Sequence, residues 1–360
     1  MPLSAWWLIV TVLAAPLAVL PASWGPSLAE TKNLAFLLLG AGTVLVFVRN
    51  LWLRAFGAWV LVAYLVAGAH VWALSAVLGV LAWLVFYQAG RELPEAGWAK
   101  LRLAVLAGAL FQVAWVLLQL AHRDPIFEAI VPQSGPAPLF VEPVGWLGNP
   151  MDLALFLGIS LPLLVVVRPV WLGGVSAALT AVIILGVLRT TVGVMAVGVT
   201  TVWLLWSWSS SWWVRGGIVL LVLLVGGLYF LRWDPHVGLR FVIWKQAAHV
   251  AGLRPFAGWG PNAVDHRVLL LVPAQEVRWN FIFNEWLQAW LELGLLGPGL
   301  ALGYVVSMGR RLQARLAPAA ELAPVFLIVL LASFFSIPFR IGPVALLAAL
   351  ALGQMERRLA

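Results

Sequence analysis

The chain is organised around residues 232–283, RWDPHVGLRFVIWKQAAHVAGLRPFAGWGPNAVDHRVLLLVPAQEVRWNFIF, which have mixed polarity within an otherwise almost continuously apolar sequence. This insert contains six of the 22 basic residues of the chain: Arg232, Arg240, Lys245, Arg254, Arg267 and Arg278. Its other titratable residues are Asp234, His236, His249, Asp265, His266 and Glu276. Specific chemistry is often concentrated in polar loops that a rigid scaffold positions. We therefore expect functional residues in this insert or next to it.

The sequence on both sides of the insert is typical of membrane-spanning helices. The chain is 63% hydrophobic and only 10% charged, with a mean hydropathy of +1.00. Apolar runs of about 15–20 residues recur from end to end. A soluble fold could not bury so much apolar surface, and a transmembrane β-barrel would show alternating polarity instead. We predict an all-α, polytopic membrane protein with about 12 transmembrane helices and one large, partly helical extracytoplasmic loop.

The apolar runs divide the chain into three parts. We predict spans at about residues 4–20, 34–48, 55–70, 72–89, 103–121, 151–167, 170–188, 191–208, 216–231, 283–305, 322–337 and 341–354. Residues 1–231 hold the first nine spans, residues 232–282 form the large loop, and residues 283–360 hold the last three spans. The first run lacks a charged leader region and a small-residue cleavage site, so we predict that it is retained as a span.

Lysine and arginine in the short loops indicate the orientation of the chain. With both termini in the cytoplasm, the inner loops contain twelve basic residues: Arg49, Arg54, Arg91, Lys100, Arg102, Arg168, Arg215, Arg310, Arg311, Arg315, Arg357 and Arg358. Outside the insert, the opposite side contains four: Lys32, Arg123, Arg189 and Arg340. The insert then faces outward, so its own basic residues are not topology signals. We expect them to bind an anionic group.

Composition also excludes several kinds of chemistry. The chain has no cysteine, which excludes disulfides, thiol nucleophiles and thiolate metal ligands. Its five histidines are scattered without a metal-binding spacing, so we expect no metal and no cofactor. The net charge of +8 is explained by basic loops at a membrane, and we expect membrane lipids and no nucleic acid as partners.

A second outward loop, residues 122–150, contains six prolines and is predicted to be stiff and extended. It ends in Gly148-Asn149-Pro150, where Asn149 suits a helix N-cap and Pro150 suits a first helical turn. Two interpretations of this tripeptide are open: a simple start of a helix, or a functional motif.

Four arginines are candidates for anion binding. Arg189 and Arg340 lie at the outer ends of predicted spans, where each either extends to the membrane interface or binds an anion. Residues 238–252 have helical spacing and include Arg240, and Arg254-Pro255 ends that helix before a turn at residues 258–261. This helix either lies on the membrane surface or brings guanidinium groups to a phosphate, for which their planar geometry is suited.

The insert leads into a helix with polar residues on one side. Asn284, Glu285, Gln288 and Glu292 have helical spacing, so they can line one face of a helix that enters the bilayer. Carboxylates at membrane depth are costly and are therefore functional candidates. For Glu285 an ordinary role beside the N-terminal helix dipole is the alternative.

These motifs, taken in order, resemble the superfamily of O-antigen ligases and O-antigen polymerases, which are integral-membrane glycosyltransferases. Gly148-Asn149-Pro150 resembles the family's Gly-Asn-Pro-Asn, and Leu188-Arg189-Thr190 resembles its outward Ser/Thr-Arg boundary. Arg240 with Trp244, Arg254-Pro255 and Gly258-Trp-Gly-Pro261 resembles the start of its large periplasmic loop. Asn284 followed by Gly294-Leu-Leu-Gly297 resembles its His-Asn, nine residues, Gly-x-x-Gly. The resemblance covers residues 145–297 and implies a GT-C-like fold.

The sequence departs from the family pattern at two positions. Phe283 replaces the histidine that ligases use in catalysis, and Met151 replaces the second asparagine of the first motif. Glu285 and His266 are our candidate catalytic replacements for this histidine, with Asp265 and Glu276 also near in sequence. Because polymerase-type members depend more on arginines than on a histidine, the resemblance slightly favours a polymerase over a ligase.

The resemblance implies metal-independent, inverting transfer of a glycan from a polyprenyl pyrophosphate to an acceptor hydroxyl, on the outer face of the bacterial inner membrane. Arg189, Arg240, Arg254 and Arg340, together with Asn149 and Asn284, would bind the pyrophosphate. Two other classes stay open: a transporter of small anions or solutes, and a catalytically silent relative that binds the lipid-linked glycan.

Overall fold

Helices make up almost all of the chain that the computed structural model describes, namely residues 41–42, 44–121, 123, 147, 149–208, 237–266, 271–272, 277–278, 282–315 and 319–360. The helices before the insert are α1 (Leu51–Val66), α2 (Val71–Glu92), α3 (Glu95–Leu120), α4 (Pro150–Val165), α5 (Val170–Ile183), a π-helical turn (Ile184–Leu188) and α6 (Thr191–Trp208). Those in and after the insert are α7 (Val237–Leu253), α8 (Ala263–His266), α9 (Glu285–Leu293), α10 (Leu296–Ala314), α11 (Ala323–Phe335) and α12 (Gly342–Leu359). Between α8 and α9, the two-residue strands β1 (Leu271–Val272) and β2 (Val277–Arg278) pair antiparallel.

Among the described residues, three helices are long and apolar enough to cross a membrane: α2, α3 and the continuous helix Val170–Leu188, which joins α5 to the π-helical turn. α1, α4, α6 and α11 are also apolar but shorter. The predicted helical class and membrane character are thus confirmed for the described part of the chain. The predicted spans 4–20 and 216–231, and most of 34–48, lie outside the described residues, and the count of twelve stays a prediction.

The prediction of one continuous span over 283–305 is wrong, because the helix is broken between α9 and α10. Gly294 lies in the break with φ 67° and ψ −179°, a conformation essentially restricted to glycine. A Cβ atom at this position would lie 2.0 Å from the carbonyl oxygen of Phe256, so the insert backbone passes directly against the break. The tenth predicted span is therefore two helices, and the backbone of the insert packs against the break between them.

Two other helices extend beyond their predicted bounds. α3 begins at Glu95, well before residue 103, and α12 continues to Leu359, past residue 354. The added turns carry charged residues: Arg102 of α3 and Arg358 of α12 both pair with Glu321. Apolarity alone underestimates these helices because their ends are stabilised by ion pairs instead of hydrocarbon.

Close contact between α2 and α12 forms the centre of the bundle. A Cβ at Gly90 would lie 2.2 Å from the carbonyl oxygen of Leu350, and one at Gly353 would lie 2.0 Å from that of Tyr87. Small residues at such crossings allow two backbones to approach, as is common in membrane proteins. The two helices therefore pack backbone against backbone.

One end of the bundle is held by a buried carboxylate. Glu356 is 1% exposed and lies 3.0 Å from Arg311 and 3.5 Å from Arg91. Asn50 caps α1 and donates its side-chain amide to both oxygens of Glu356, at 3.0 and 3.1 Å. Nearby, Arg358 pairs with Glu321 and, at 2.8 Å, with Glu95. We call this the basic end.

The basic end brings together residues from loops that the sequence predicts on one side of the membrane. The prediction that these loops share a side is confirmed for Arg91, Arg102, Arg311 and Arg358, while their cytoplasmic location stays a prediction. Glu356 lies 14 residues after Gly342, the start of α12, which is about 21 Å along the helix axis. Arg340, directly before α12, therefore lies at the opposite end, which we call the site end.

A second apolar core is formed by α3, α4, α5 and the π-helical turn. α4 and α5 are joined by a short turn and run antiparallel, so the end of the π-helical turn lies near the start of α4. A Cβ at Gly193, in the first turn of α6, would lie 2.6 Å from the side chain of Ile184 and 3.2 Å from that of Ala154. This packing ties the segment around Arg189 to the beginning of α4.

Candidate functional site

The candidate site is built around α9, whose C-terminal end is capped by the insert. The last carbonyl groups of a helix have no partner within the helix and need one elsewhere, most of all at membrane depth. The backbone N–H groups of Trp259 and Gly260 donate to the carbonyls of Leu291 and Glu292, both at 2.9 Å. The indole of Trp59 donates to the carbonyl of Leu293 at 2.7 Å. The broken helix is thus stabilised by the insert on one side and α1 on the other.

Two carboxylates of α9 share one guanidinium group. Arg340 donates to Glu292 at 2.7 Å and lies 3.9 Å from Glu285. Glu285 also accepts a hydrogen bond of 3.2 Å from the backbone N–H of Phe339, and Glu292 accepts one of 2.9 Å from Gln288. The predicted polar face of this helix is therefore confirmed. It faces the segment between α11 and α12.

The three charged side chains of this cluster differ in exposure. Glu292 is 4% exposed, Glu285 is 14% exposed and Arg340 is 22% exposed. Glu292 is therefore a buried structural partner of Arg340, whereas the side chain of Glu285 is less completely buried. Of the two acids, Glu285 is the more accessible.

Arg240 joins the insert to the start of α4. Its side chain is 7% exposed, which is rare for a charged residue. One guanidinium nitrogen lies 4.0 Å from the sulfur of Met151, and the guanidinium carbon lies 6.0 Å from the centre of the Phe283 ring. The first turn of α7, the first turn of α4 and the segment before α9 therefore meet at this arginine.

Phe283 and Asn284 make the turn that starts α9. Phe283 has φ 54°, a left-handed conformation that is unfavourable for a bulky side chain. Asn284 is the N-cap, and its side chain accepts a hydrogen bond of 3.0 Å from the backbone N–H of Leu287. The indole of Trp244 donates to the carbonyl of Ile282 at 2.8 Å, which fixes this turn to α7. The strained position of Phe283 is thus held by contacts on both sides.

Asn149 and Arg189 lie at the same end of the bundle as Arg240. Asn149 caps α4, because its side chain accepts a hydrogen bond of 2.8 Å from the backbone N–H of Met151. The predicted start of a helix at Asn149 is therefore confirmed. Arg189 is exposed, has φ 46° and ends the π-helical turn, with its Nε donating to the carbonyl of Gly186 at 3.0 Å. This left-handed residue turns the chain into α6.

Arg254 lies apart from Arg240 along α7. The predicted helix end is confirmed, because α7 ends at Leu253, directly before Arg254. The two arginines are therefore about 20 Å apart along the helix axis. The guanidinium of Arg254 stacks on the indole of Trp259, with 4.3 Å from its carbon to the ring centre. Arg240 lies beside the start of α9 and Arg254 beside its end, so the two address different parts of any ligand.

His266 ends α8, and its side chain lies outside the described residues, as do Asp265 and Glu276. The catalytic role predicted for His266 stays a prediction. In the part of the chain that is described, no three side chains of the types that bind metals come together.

Several contacts of the site could not be found from the sequence. Trp244, Met151 and Phe339 hold the site through contacts with residues 38, 89 and 54 positions away in the chain. Glu292 could be found, since a carboxylate inside an apolar run is a recognisable signal. Its pairing with Arg340 could not, because no local pattern connects the two residues.

No family model, no characterised protein and no solved structure matches this chain. The class that the fold itself defines is a helical membrane protein, with an insert packed against a broken helix.

Proposed function

We propose that this protein is a membrane glycosyltransferase that moves a glycan from a polyprenyl pyrophosphate to an acceptor hydroxyl, as O-antigen polymerases and ligases do. The observation that carries the proposal is the meeting of separate motifs at Arg240. Its neighbour Met151 lies two residues after Asn149, and its neighbour Phe283 directly precedes Asn284, so three of the four segments on which the resemblance rests meet here. The fourth, around Arg189, lies at the same end of the bundle. Such convergence is what a shared binding site requires.

The proposed reaction requires two contributions from the protein: stabilisation of the leaving group and removal of a proton from the acceptor. The acceptor oxygen attacks the anomeric carbon while the bond from that carbon to the pyrophosphate oxygen breaks, and the pyrophosphate leaves with the electron pair. Cationic groups stabilise the charge that grows on this leaving group. Arg240 and Arg189, which lie at the end where α4 begins, take this role. Arg340 and Arg254 contribute at the edges of the site, where their guanidinium groups are already held by Glu292 and Trp259.

The second contribution is removal of the proton from the acceptor hydroxyl. Phe283 carries no proton acceptor, and Glu285 follows it by two residues with a side chain that is 14% exposed. We assign Glu285 as the general base that receives the hydroxyl proton. Its hydrogen bond from Phe339 and its proximity to Arg340 orient the carboxylate.

We further propose the membrane arrangement that this reaction needs. The chain crosses the bacterial inner membrane twelve times, both termini are cytoplasmic, and the site end faces outward. The asymmetry of the basic residues supports this orientation, since the residues clustered at the basic end are those predicted to be inside.

A catalytically silent, glycan-binding relative is the second candidate, and one contact favours it. The ring of Phe283 packs beneath Arg240, so the position that a ligase gives to its histidine here supports the arginine. A silent relative would keep this binding site and lack turnover.

The test uses the purified full-length protein in detergent, with an oligosaccharide linked to polyprenyl pyrophosphate. Extension of the lipid-linked glycan identifies a polymerase, and transfer to a separate acceptor identifies a ligase. Binding without either product identifies the silent relative. No binding of the lipid-linked glycan would overturn both candidates and leave the transporter class.

Matched variants of α7 test the role of the arginine. Arg240→Ala removes the buried guanidinium, and we expect a loss of about 10²–10³-fold in turnover, or a corresponding loss of pyrophosphate-lipid binding. Lys245→Ala removes an exposed charge from the same helix and should leave both unchanged. Equal behaviour of the two variants would contradict the proposed role of Arg240.

A further inference from the structure

A groove runs between α1 and α10 towards the basic end of the bundle. Its volume is about 580 Å³, within the range of about 300–1,000 Å³ that is common for sites of small molecules. Trp52 of α1 forms one wall, and Gly299, Leu302, Gly303 and Val306 of α10 form the floor. The groove is open along one side, and Leu302 and Val306 are 52% and 43% exposed. Most of its surface is therefore apolar and accessible from outside the bundle.

Two glycines give the groove its shape in different ways. A Cβ at Gly303 would lie 2.3 Å from the indole of Trp52, so this glycine lets the tryptophan pack against α10. At Gly299, one turn away, a Cβ would have no atom within 4 Å. The space above Gly299 is thus left open by the fold.

The groove ends at two arginines. Arg310 and Arg311 line it at the basic end, and both are exposed. Arg311 shares the carboxylate of Glu356 with Arg91, so two guanidinium groups are balanced there by one acid, and Arg310 adds a third positive charge. Guanidinium groups suit phosphate because they donate two parallel hydrogen bonds. An apolar channel that ends in excess positive charge matches an amphiphile with an anionic head.

We propose that this groove binds an anionic phospholipid, with an acyl chain along Trp52 and Gly299 and the phosphodiester at Arg310 and Arg311. A peptide segment fits less well, because its backbone needs hydrogen-bond partners and the apolar stretch of the groove offers little beyond Ser307. A zwitterionic lipid would place a second positive charge near the arginines. The proposal is independent of glycosyl transfer, since the groove lies at the opposite end from Arg240.

The experiment measures lipid binding by native mass spectrometry of the delipidated full-length protein in detergent. The probes are phosphatidylglycerol and phosphatidylcholine with the same two oleoyl chains. We expect saturable retention of one phosphatidylglycerol and much weaker retention of phosphatidylcholine. Arg310→Ala should weaken phosphatidylglycerol binding about fivefold, the effect of one basic residue near an anionic lipid surface. Lys100→Ala, which removes an exposed charge at the same end but outside the groove, should not change it.

A second pair of variants tests the groove itself. Gly299→Leu places a side chain in the open space, where an added Cβ meets no atom within 4 Å, and we expect it to abolish saturable binding of phosphatidylglycerol. Gly309→Leu is the matched control, since Gly309 also lies in α10 with no atom within 4 Å of an added Cβ and does not line the groove. Equal retention of the two lipids, or equal binding by the two glycine variants, would overturn the proposal. Loss of binding in Lys100→Ala as large as in Arg310→Ala would also overturn it.

Discussion

At the basic end of the bundle, one buried acid, Glu356, is shared by two arginines and an asparagine, whereas at the site end one arginine, Arg340, is shared by two acids. The first arrangement joins α1, α2, α10 and α12, so it holds the ends of helices from distant parts of the chain. The second involves a nine-residue half-helix and the turn before α12. The difference suits separate purposes: the basic end stabilises the fold, and the site end holds the charged groups that the proposed function uses.

The strongest test of this difference is Glu285→Gln at the site end. Glutamine keeps the oxygen that accepts from Phe339 but cannot take a proton, so we expect glycan transfer to fall by about 10²–10⁴-fold. Binding of the pyrophosphate lipid and thermal stability should stay close to those of the wild type. The measurement is initial rate with saturating lipid-linked donor. Full activity in this variant would remove Glu285 from the mechanism.

Gly294→Ala should show where the site end depends on backbone geometry. A Cβ would meet the carbonyl of Phe256 at 2.0 Å, in a backbone conformation that alanine avoids, so we expect a loss of about 2–4 kcal/mol in stability. Unfolding followed by tryptophan fluorescence measures it. Gly309→Ala is the control, and we expect it to raise stability. That glycine lies in open space within α10, and alanine favours the helix by about 1 kcal/mol.

Glu356→Ala removes the acid of the basic end. It leaves Asn50 and two arginines without their shared acceptor, and we expect a loss of about 1–3 kcal/mol in stability. The turnover of the protein that remains folded should be unchanged. Glu356→Gln retains an acceptor for Asn50 and should lose less. A large drop in turnover at full stability would contradict the separation of purposes between the two ends.

The smallest effect is expected for Glu95→Ala. Glu95 pairs with Arg358 at 2.8 Å, but its side chain is 61% exposed. Exposed ion pairs contribute about 0.2–1 kcal/mol, and salt weakens them. The melting temperature should therefore change little, and less in 0.5 M salt (about three times physiological ionic strength) than at low salt. A loss as large as that of Glu356→Ala would show that the exposed ion pairs hold this end as strongly as the buried acid does.

The sequence predicted features that depend on local chemistry. The helix at residues 238–252, the cap at Asn149 and the polar face of α9 were all predicted correctly, because spacing and capping residues are local signals. The break at Gly294 was missed, since a glycine within Leu293-Gly-Leu-Leu does not interrupt an apolar run. What breaks the helix is the backbone of Trp259 and Gly260, which approaches from more than thirty positions away.

The candidate site was predictable only as separate pieces. Arg240, Asn149, Glu285 and Asn284 were each selected from the sequence, and the structure places all four at one end of the bundle. Their arrangement depends on long-range packing, as does the distance between Arg240 and Arg254, which lie at opposite ends of α7. From the sequence, both arginines were equivalent candidates for binding the pyrophosphate. The helix between them places them in different parts of the site.

Under the proposed function, the capped break in α9 also bears on how the lipid-linked substrate enters. Three backbone hydrogen bonds anchor the turn at residues 255–260 to the end of α9 and the break: Trp259 to Leu291, Gly260 to Glu292, and Leu295 to Pro255. A fourth hydrogen bond, from Trp59 of α1 to Leu293, anchors the neighbouring helix. A lid that swings upward would have to break three of these bonds. We therefore expect a polyprenyl donor to slide in sideways from the bilayer, with its tail still in the hydrocarbon, instead of entering beneath a lifted insert.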